Sequence, residues 1–389
     1  MEQLFAHFNK LLKATDTTFV RYIHQKINWK SRMIGLTGPR GVGKTTLILQ
    51  HIKQYHSTAD TLYVTAEDFY FAQNRLLDFA DTFVKQGGKY LFIDEIHKYA
   101  DWSKELKLIY DYHPTLSVVF TGSSVLDIKK GVSDLSRRAV MHHMQGLSFR
   151  EYLQLFHNIS TQTYSLEAIL QHQVEEPDLK LPLPLFAQYL QRGYYPFAIE
   201  DDFDIRIQQV INQTLETDIP LFAGLNAATG RKLKQLLAII AQSVPFKPNF
   251  TKIAEMLSVS RNNIADYCLY IEEAGMIAQL RQATAGIRGL SKVDKVYLDN
   301  PNLIQSLAAD KANKGNIRET FFLNQTRILH EVISSPAADF QIDDFTFEVG
   351  GKNKGNKQIE GIKNAYVLKD DIESGYLRTI PLWHFGLLY

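Results

Sequence analysis

Arg32-Met33-Ile34-Gly35-Leu36-Thr37 is a short apolar run, Gly38-Pro39-Arg40-Gly41-Val42-Gly43-Lys44-Thr45 is a glycine-rich turn, and Thr46-Leu47-Ile48-Leu49-Gln50-His51-Ile52 reads as a helix. Strand, loop and helix in that order are what a phosphate-cradling loop requires. The glycines let backbone N–H groups converge on an anion at the positive end of the helix dipole. On this reading the cradle runs from Gly38, Pro39, Arg40, Gly41, Val42 and Gly43 to Lys44, Thr45 and Thr46. Lys44 would reach the β and γ phosphates of ATP, and the Thr45 hydroxyl would ligate Mg²⁺.

The second half of such a site is an acidic residue at the end of another buried strand. Lys89-Tyr90-Leu91-Phe92-Ile93-Asp94-Glu95, entered through Gly87-Gly88, supplies it. Asp94 would hold Mg²⁺ and Glu95 would polarise the attacking water. Thr61–Thr65, Leu116–Gly122 and Ala139–Met144 read as further strands, which makes five with the two already named. Helical stretches, Phe71–Gln86 and Lys104–Tyr112 among them, lie between, so the fold class is α/β with a parallel sheet and crossover helices. Ligands of such sheets bind at the carboxyl ends of the strands, where Gly38, Asp94 and Ser123 fall. Ser123 or Ser124 would sense the γ-phosphate or, in the plainer reading of Ser124, cap the helix that follows. Arg137-Arg138, just before the last strand, offers guanidinium groups for γ-phosphate charge within the chain or across a homo-oligomer.

The chain has 389 residues, enough for two or three domains. Lys and Arg number 43 against 42 Asp and Glu, so no global charge drives it onto nucleic acid or anionic lipid. Any such contact must come from a local patch. The single cysteine, Cys268, sits among Tyr267, Leu269 and Tyr270 and reads as a buried structural thiol. No stretch approaches the ~20 apolar residues that span a bilayer, and the first residues lack a signal-peptide core, so a cytoplasmic protein without membrane contact is expected.

At this point the residues resemble the AAA+-type ATPases of bacteria and archaea that carry a C-terminal restriction-endonuclease-like region. The resemblance rests on the loop Gly38–Thr46, on Phe92-Ile93-Asp94-Glu95-Ile96-His97-Lys98, on Val119–Ser124, on Leu147-Ser148-Phe149-Arg150-Glu151-Tyr152 and on Gly193-Tyr194-Tyr195-Pro196. It implies ATP binding and hydrolysis with Lys44, Thr45, Asp94 and Glu95 in the usual roles, Ser123 as sensor and Arg138 at the arginine position. The family usually has Gly-Arg there, whereas this chain has Arg137-Arg138. The Asp-Glu-Ile-His string also invites a helicase reading, but a helicase would need a second nucleotide-binding lobe, and the sequence has no motifs for one.

The domain expectation is a P-loop core over 1–146, a helical lid over 147–227, a winged helix-turn-helix over 228–304 and a degenerate PD-(D/E)XK nuclease-like domain over 305–389. In the lid, Pro182, Pro184 and Pro196 are expected to break the helical pattern in a loop. Residues 232–242, 250–257 and 261–274 predict three helices, with a strand pair after them. Arg261, Asn262 and Asn263 would meet DNA bases, and Arg288 and Lys292 in the wing its phosphates. Between residues 228 and 300 ten cations face six anions, a mild bias, and winged helices also dock proteins.

For the C-terminal part, Asp343, Glu348 and the helical Glu319 match nuclease carboxylates, but the lysine position falls on Gly350. Lys352 would have to reach back, Lys357-Gln358 would open a further helix, and Ile380–Tyr389 would pack as a terminal strand. The reading as a whole is an ATP-hydrolysing switch coupled to DNA or to a protein partner. The alternatives are an adaptor with ATP as a structural ligand and a metal-dependent nuclease.

Overall fold

The computed structural model describes residues 1–122, 135, 137–242, 245, 247–283, 292–308 and 312–389. Ser123, Ser124 and Arg288 lie outside the described residues. The chain divides into two compact units, Met1–Gly146 and Leu147–Tyr389.

In the first unit, α1 (Glu2–Ala14) buries Leu4 and Phe8, one helical turn apart, and leaves its charged face in solvent. β1 (Met33–Thr37) is buried at every position, as a strand covered on both faces must be. α2 (Lys44–Tyr55) follows the loop, β2 (Thr61–Thr65) comes next, and α3 (Tyr70–Gln73) and α4 (Leu76–Lys85) lead to β3 (Tyr90–Asp94). α5 (Trp102–Tyr112), β4 (Ser117–Gly122) and β5 (Val140–His143) complete the unit. The five strands pair in parallel in the order β2-β3-β4-β1-β5. β1 and β3 are therefore separated only by β4, which brings the loop after β1 and the acidic end of β3 to one edge of the sheet.

The helix expected over 71–86 is two helices. Arg75 is extended, and the freed N–H groups of Leu76 and Leu77 donate to the Tyr99 hydroxyl (3.2 Å) and to Glu105 Oε2 (2.9 Å). Side chains of α5 and the turn before it thus satisfy a helix start that has no cap of its own.

The second unit opens with α6 (Phe149–His157), whose Ser148 and Glu151 form a reciprocal capping box. α7 (Leu166–Leu170), α8 (Pro182–Arg192) and α9 (Phe203–Gln213) follow, and a π-helical turn over Thr214–Asp218 leads into α10 (Ile219–Ala223). Pro182 and Pro184 do not break a helix. They sit in the first turn of α8, where the N–H that proline lacks has no intrahelical partner.

α11 (Ala227–Gln242), α12 (Phe250–Leu257) and α13 (Arg261–Glu273) precede an antiparallel hairpin of β6 (Ile277–Arg281) and β7 (Val293–Leu298). Ser258, in the left-handed conformation, ends α12, and Ser260 caps α13 through the Asn263 N–H. α14 (Pro301–Ala308) and α15 (Lys314–Thr326) lead to a second five-stranded sheet. Its strands are β8 (Val332–Ser334), β9 (Phe340–Ile342), β10 (Phe345–Gly350), β11 (Ala365–Lys369) and β12 (Thr379–Pro381), ordered β12-β11-β10-β9-β8. β10, β11 and β12 run parallel, while β8 and β9 are antiparallel.

Two C-terminal expectations change. Lys357–Ile359 is a single 3-10 turn, and the apolar tail is a strand only over Thr379–Pro381 before a 3-10 run, Leu382–Leu387, buries it. Cys268 is buried, and burial, reinforced by the Glu272 charge, pushes its thiol up to about 12. Among the described residues no helix is long and apolar enough to cross a membrane.

Candidate nucleotide-binding site

The loop after β1 is shaped by glycine. Gly41 and Gly43 have φ of 83° and 96°, in the left-handed region that L side chains avoid. Gly38, with φ of 150°, lies so close to the chain leaving β5 that a Cβ would come within 2.1 Å of the Met144 carbonyl oxygen. The Met144 N–H in turn donates to the Thr37 carbonyl (2.7 Å). Lys44 is buried at the start of α2 and donates to the carbonyls of Gly38 (2.9 Å) and Pro39 (2.8 Å). Its ammonium is thus held across the mouth of its own loop.

Asp94 ends β3 beside this loop. The Thr45 hydroxyl donates to its Oδ2 (2.6 Å), the Tyr63 hydroxyl to the same oxygen (2.9 Å), and the Thr121 hydroxyl to Oδ1. Strand register explains the gathering: Thr65 pairs with Asp94 across β2 and β3, and Ile93 with Phe120 across β3 and β4. Burial first, then the Asp94 charge and hydrogen bond, hold the Tyr63 phenol far above its ordinary value, so it stays a donor. Glu95 adopts a left-handed conformation with φ of 51°, and its N–H donates to Thr121 Oγ1 (3.2 Å). Its carboxylate lies 3.4 Å from His97 Nε2. Arg40, Thr45, Tyr63, Glu67, Asp94 and Glu95 border a cavity of about 320 Å³ at this edge of the sheet.

The residues fit a divalent cation and a phosphate chain in kind. A hydroxyl and a carboxylate touch where a cation would be shared, and a lysine lies at the N-terminus of a helix behind a glycine-shaped loop.

The expected arginine falls elsewhere. Arg138 precedes β5, at the amino end of the strands, and forks onto Asp111 with Nε–Oδ1 and Nη2–Oδ2 distances of 2.9 Å. Sequence reading assigned no role to Tyr63, Thr121 or Arg21. Thr121 and Tyr63 carried a signal, because both lie on apolar strands that pair with β3 near its acidic end, Thr121 just after the partner of Ile93 and Tyr63 opposite Phe92.

In the second unit the carboxylates group differently from the expectation. Asp343 lies in the exposed turn before β10 with φ of 49°, and Asp339 takes its place. Lys295 Nζ lies 3.3 Å from Asp339 Oδ1 and 3.8 Å from Glu319 Oε2. The Tyr297 hydroxyl donates to Glu319 Oε2 (2.7 Å). Glu348 is paired with Lys354, not with Lys352, which is exposed: the loop after Gly350 folds the Lys354 stem back over that glycine. Burial, then the Asp339 charge, raise Glu319 to about 7. Among the described residues no three His, Cys, Asp or Glu side chains could hold a metal ion together.

Arg261, Asn262 and Asn263 are exposed in the first turn of α13, where Asn263 also binds the Ser260 cap, and Lys292 is exposed before β7.

A parallel sheet with a glycine-rich loop after β1 and an acid at the end of β3 defines a P-loop nucleotide-binding fold. Residues 30–153 match the family described as an AAA domain, so the chain carries an AAA-type P-loop ATPase-like domain. Residues 183–314 match a domain of unknown function (DUF8612). An uncharacterized protein of Methanocaldococcus jannaschii is 25% identical over 306 residues, 71% of this chain. The match spans 63% of that relative, less than two thirds of its length. A Walker-type ATPase of Pyrococcus abyssi is similar with a TM-score of 0.42 at 11% identity, over 72% of this chain and 91% of that one. PCH-2 of C. elegans is similar with a TM-score of 0.26 at 15% identity, over 70% of this chain and 67% of its own.

Proposed function

We propose that this chain is an ATP-binding and ATP-hydrolysing switch that depends on Mg²⁺. The observation that carries the reading is the 2.6 Å contact between the Thr45 hydroxyl and Asp94, with Lys44 at the head of α2 beside it. In this role Lys44 leaves the Gly38 and Pro39 carbonyls for the phosphates, while Thr45 and Asp94 hold the cation. Mg²⁺, when bound, neutralises phosphate charge. Glu95, one residue past Asp94 and bordering the same cavity, is the base that orients and deprotonates water. Glu95 takes a left-handed conformation where β3 ends, and its carboxylate lies 3.4 Å from His97 Nε2.

On this reading residues 147–227 act as a lid, 228–304 as a winged helix and 305–389 as a nuclease-like fold kept for structure. The lysines on Asp339 and Glu348 support that last role, because they already neutralise the carboxylates a nuclease would give to metal. A DNA partner is favoured by the exposure of Arg261, Asn262 and Lys292.

The test is direct. Lys44→Ala abolishes binding of Mg-ATP, whereas Glu95→Gln binds it and hydrolyses roughly 100-fold or more slowly, the usual loss with a general base. A wild-type rate in Glu95→Gln removes the base from the proposal. Nucleotide bound tightly by the wild type with no turnover turns the reading to an adaptor with ATP as a structural ligand. A rate that rises with protein concentration supports an oligomer, and one that rises with duplex DNA and falls with salt supports DNA coupling.

A further inference from the structure

Arg21 is a charged side chain with only 4% of its surface exposed, and its guanidinium donates to three main-chain carbonyls. Nη1 donates to the Val42 carbonyl (2.6 Å), inside the phosphate loop. Nη2 donates to the carbonyls of Gln145 (2.7 Å) and Gly146 (2.8 Å). These are the last residues of the first unit, and Leu147 begins the second. One planar group therefore joins the loop to the segment through which the chain leaves.

The rest of the surroundings make that join stiff. α2 holds the stretch before Arg21 through Gln50, whose Nε2 donates to the Asp16 and Phe19 carbonyls (2.8 Å each). It holds the stretch after Arg21 through His51, whose Nδ1 lies 3.1 Å from His24 Nε2. The exit segment touches the loop directly as well, at Thr37 and Gly38. A guanidinium has a rigid fork, and leaving one of its buried carbonyl partners without a donor is costly, so Val42 cannot shift without carrying residues 145–146 or breaking the bonds.

We propose that Arg21 is a positioning residue that couples occupancy of the phosphate loop to the exit segment Met144–Gly146, and so sends the nucleotide state toward the second unit. This rests on the nucleotide reading of the loop. It adds the residue through which that site is read out. Arg21 touches no ligand in this scheme. It acts by holding the Val42 carbonyl, and with it the neighbouring loop N–H groups, in the cradle conformation.

The experiment is amide hydrogen exchange on the full chain, with and without Mg²⁺ and a non-hydrolysable ATP analogue, comparing wild type, Arg21→Ala, Arg21→Lys and Lys44→Ala. Binding of a fluorescent ATP analogue is measured in parallel. The wild type should show slower exchange over residues 144–150 when nucleotide is bound. Arg21→Lys keeps the charge but not the planar fork. It should fold, bind nucleotide roughly tenfold more weakly, as the loss of one or two charge-assisted bonds implies, and at saturation show no exchange change at 144–150. Because Arg21→Ala removes a buried cation and can fail to fold, the lysine variant decides the matter. A folded Arg21→Lys protein with the wild-type exchange response overturns the coupling and leaves the nucleotide reading intact. If the wild type, like Lys44→Ala, binds no nucleotide, the loop reading falls and the coupling falls with it.

Discussion

A single methyl group added at Gly38 has nowhere to go. Its Cβ would sit 2.1 Å from a main-chain oxygen, that of Met144, and φ of 150° is strained for any L side chain. Main chain on both sides must then move, which costs ~1–3 kcal/mol or more. Gly38→Ala is expected to lower the urea midpoint of the first unit and to lose Mg-ATP binding. A variant with wild-type affinity would mean that the loop does not need its contact with the β5 exit. Residues at this scale were legible where a motif fixes them, as Lys44, Thr45 and Asp94 are by spacing alone. Arg21 was not legible. It is a lone arginine in the sequence, and the three carbonyls it meets at Val42, Gln145 and Gly146 are main-chain groups with no residue signature, two of them more than 120 positions away.

At the scale of the element, α2 does more than present Lys44. His51, near its far end, stacks on Trp29 with ring centroids 3.7 Å apart and lies between His24 and His56. Burial, then the neighbouring His56 and His24, depress His51 from 6.5 to about 3, and burial lowers His24 and His56 as well. Asp60 opposes the shift at His56. The folded state therefore binds fewer protons than the unfolded chain between pH 6.5 and 3. Stability is complete above pH 6.5 and is lost as pH falls through that window. His51→Phe keeps an apolar ring against Trp29 and removes one titration, so the slope of stability against pH should flatten by up to ~1.4 kcal/mol per unit. Urea midpoints of the first unit at pH 7, 6 and 5 measure it, and an unchanged slope would assign acid lability to other groups.

The elements themselves were legible to different degrees. Four strands of the first sheet, β1 to β4, announce themselves because they are largely buried and read as apolar runs, whereas β5, at the sheet edge, is half-buried to exposed. β8 and β9 have three residues each, too few for a pattern. The break between α3 and α4 depends on Glu105 and Tyr99, which no local rule connects to Arg75.

At the scale of the whole chain, the second unit is closed by its own ends. The Ser148 hydroxyl and Arg150 Nε, at its start, donate to the Tyr389 carbonyl oxygen (2.8 and 2.9 Å). Leu382, Phe385 and Leu387 are fully buried, and Trp383, Leu388 and Tyr389 nearly so. Phe385 packs edge-on to Phe322 of α15 with centroids 5.0 Å apart, and lies 6.1 Å from Phe347 of β10. Burying six such side chains is worth on the order of 10 kcal/mol as an upper estimate, comparable to the entire stability of a typical domain. Among the described residues, the buried core of the first unit runs from Leu4 to Met144. A chain ending at Pro381 should therefore lose the cooperative unfolding of the second unit while the first still melts cooperatively and still binds Mg-ATP. Calorimetry on both chains, with and without nucleotide, reads each unit separately. Loss of nucleotide binding in the shortened chain would show that the first unit depends on the second for its fold or its site, and two retained transitions would show that the buried tail is dispensable to the unit it fills.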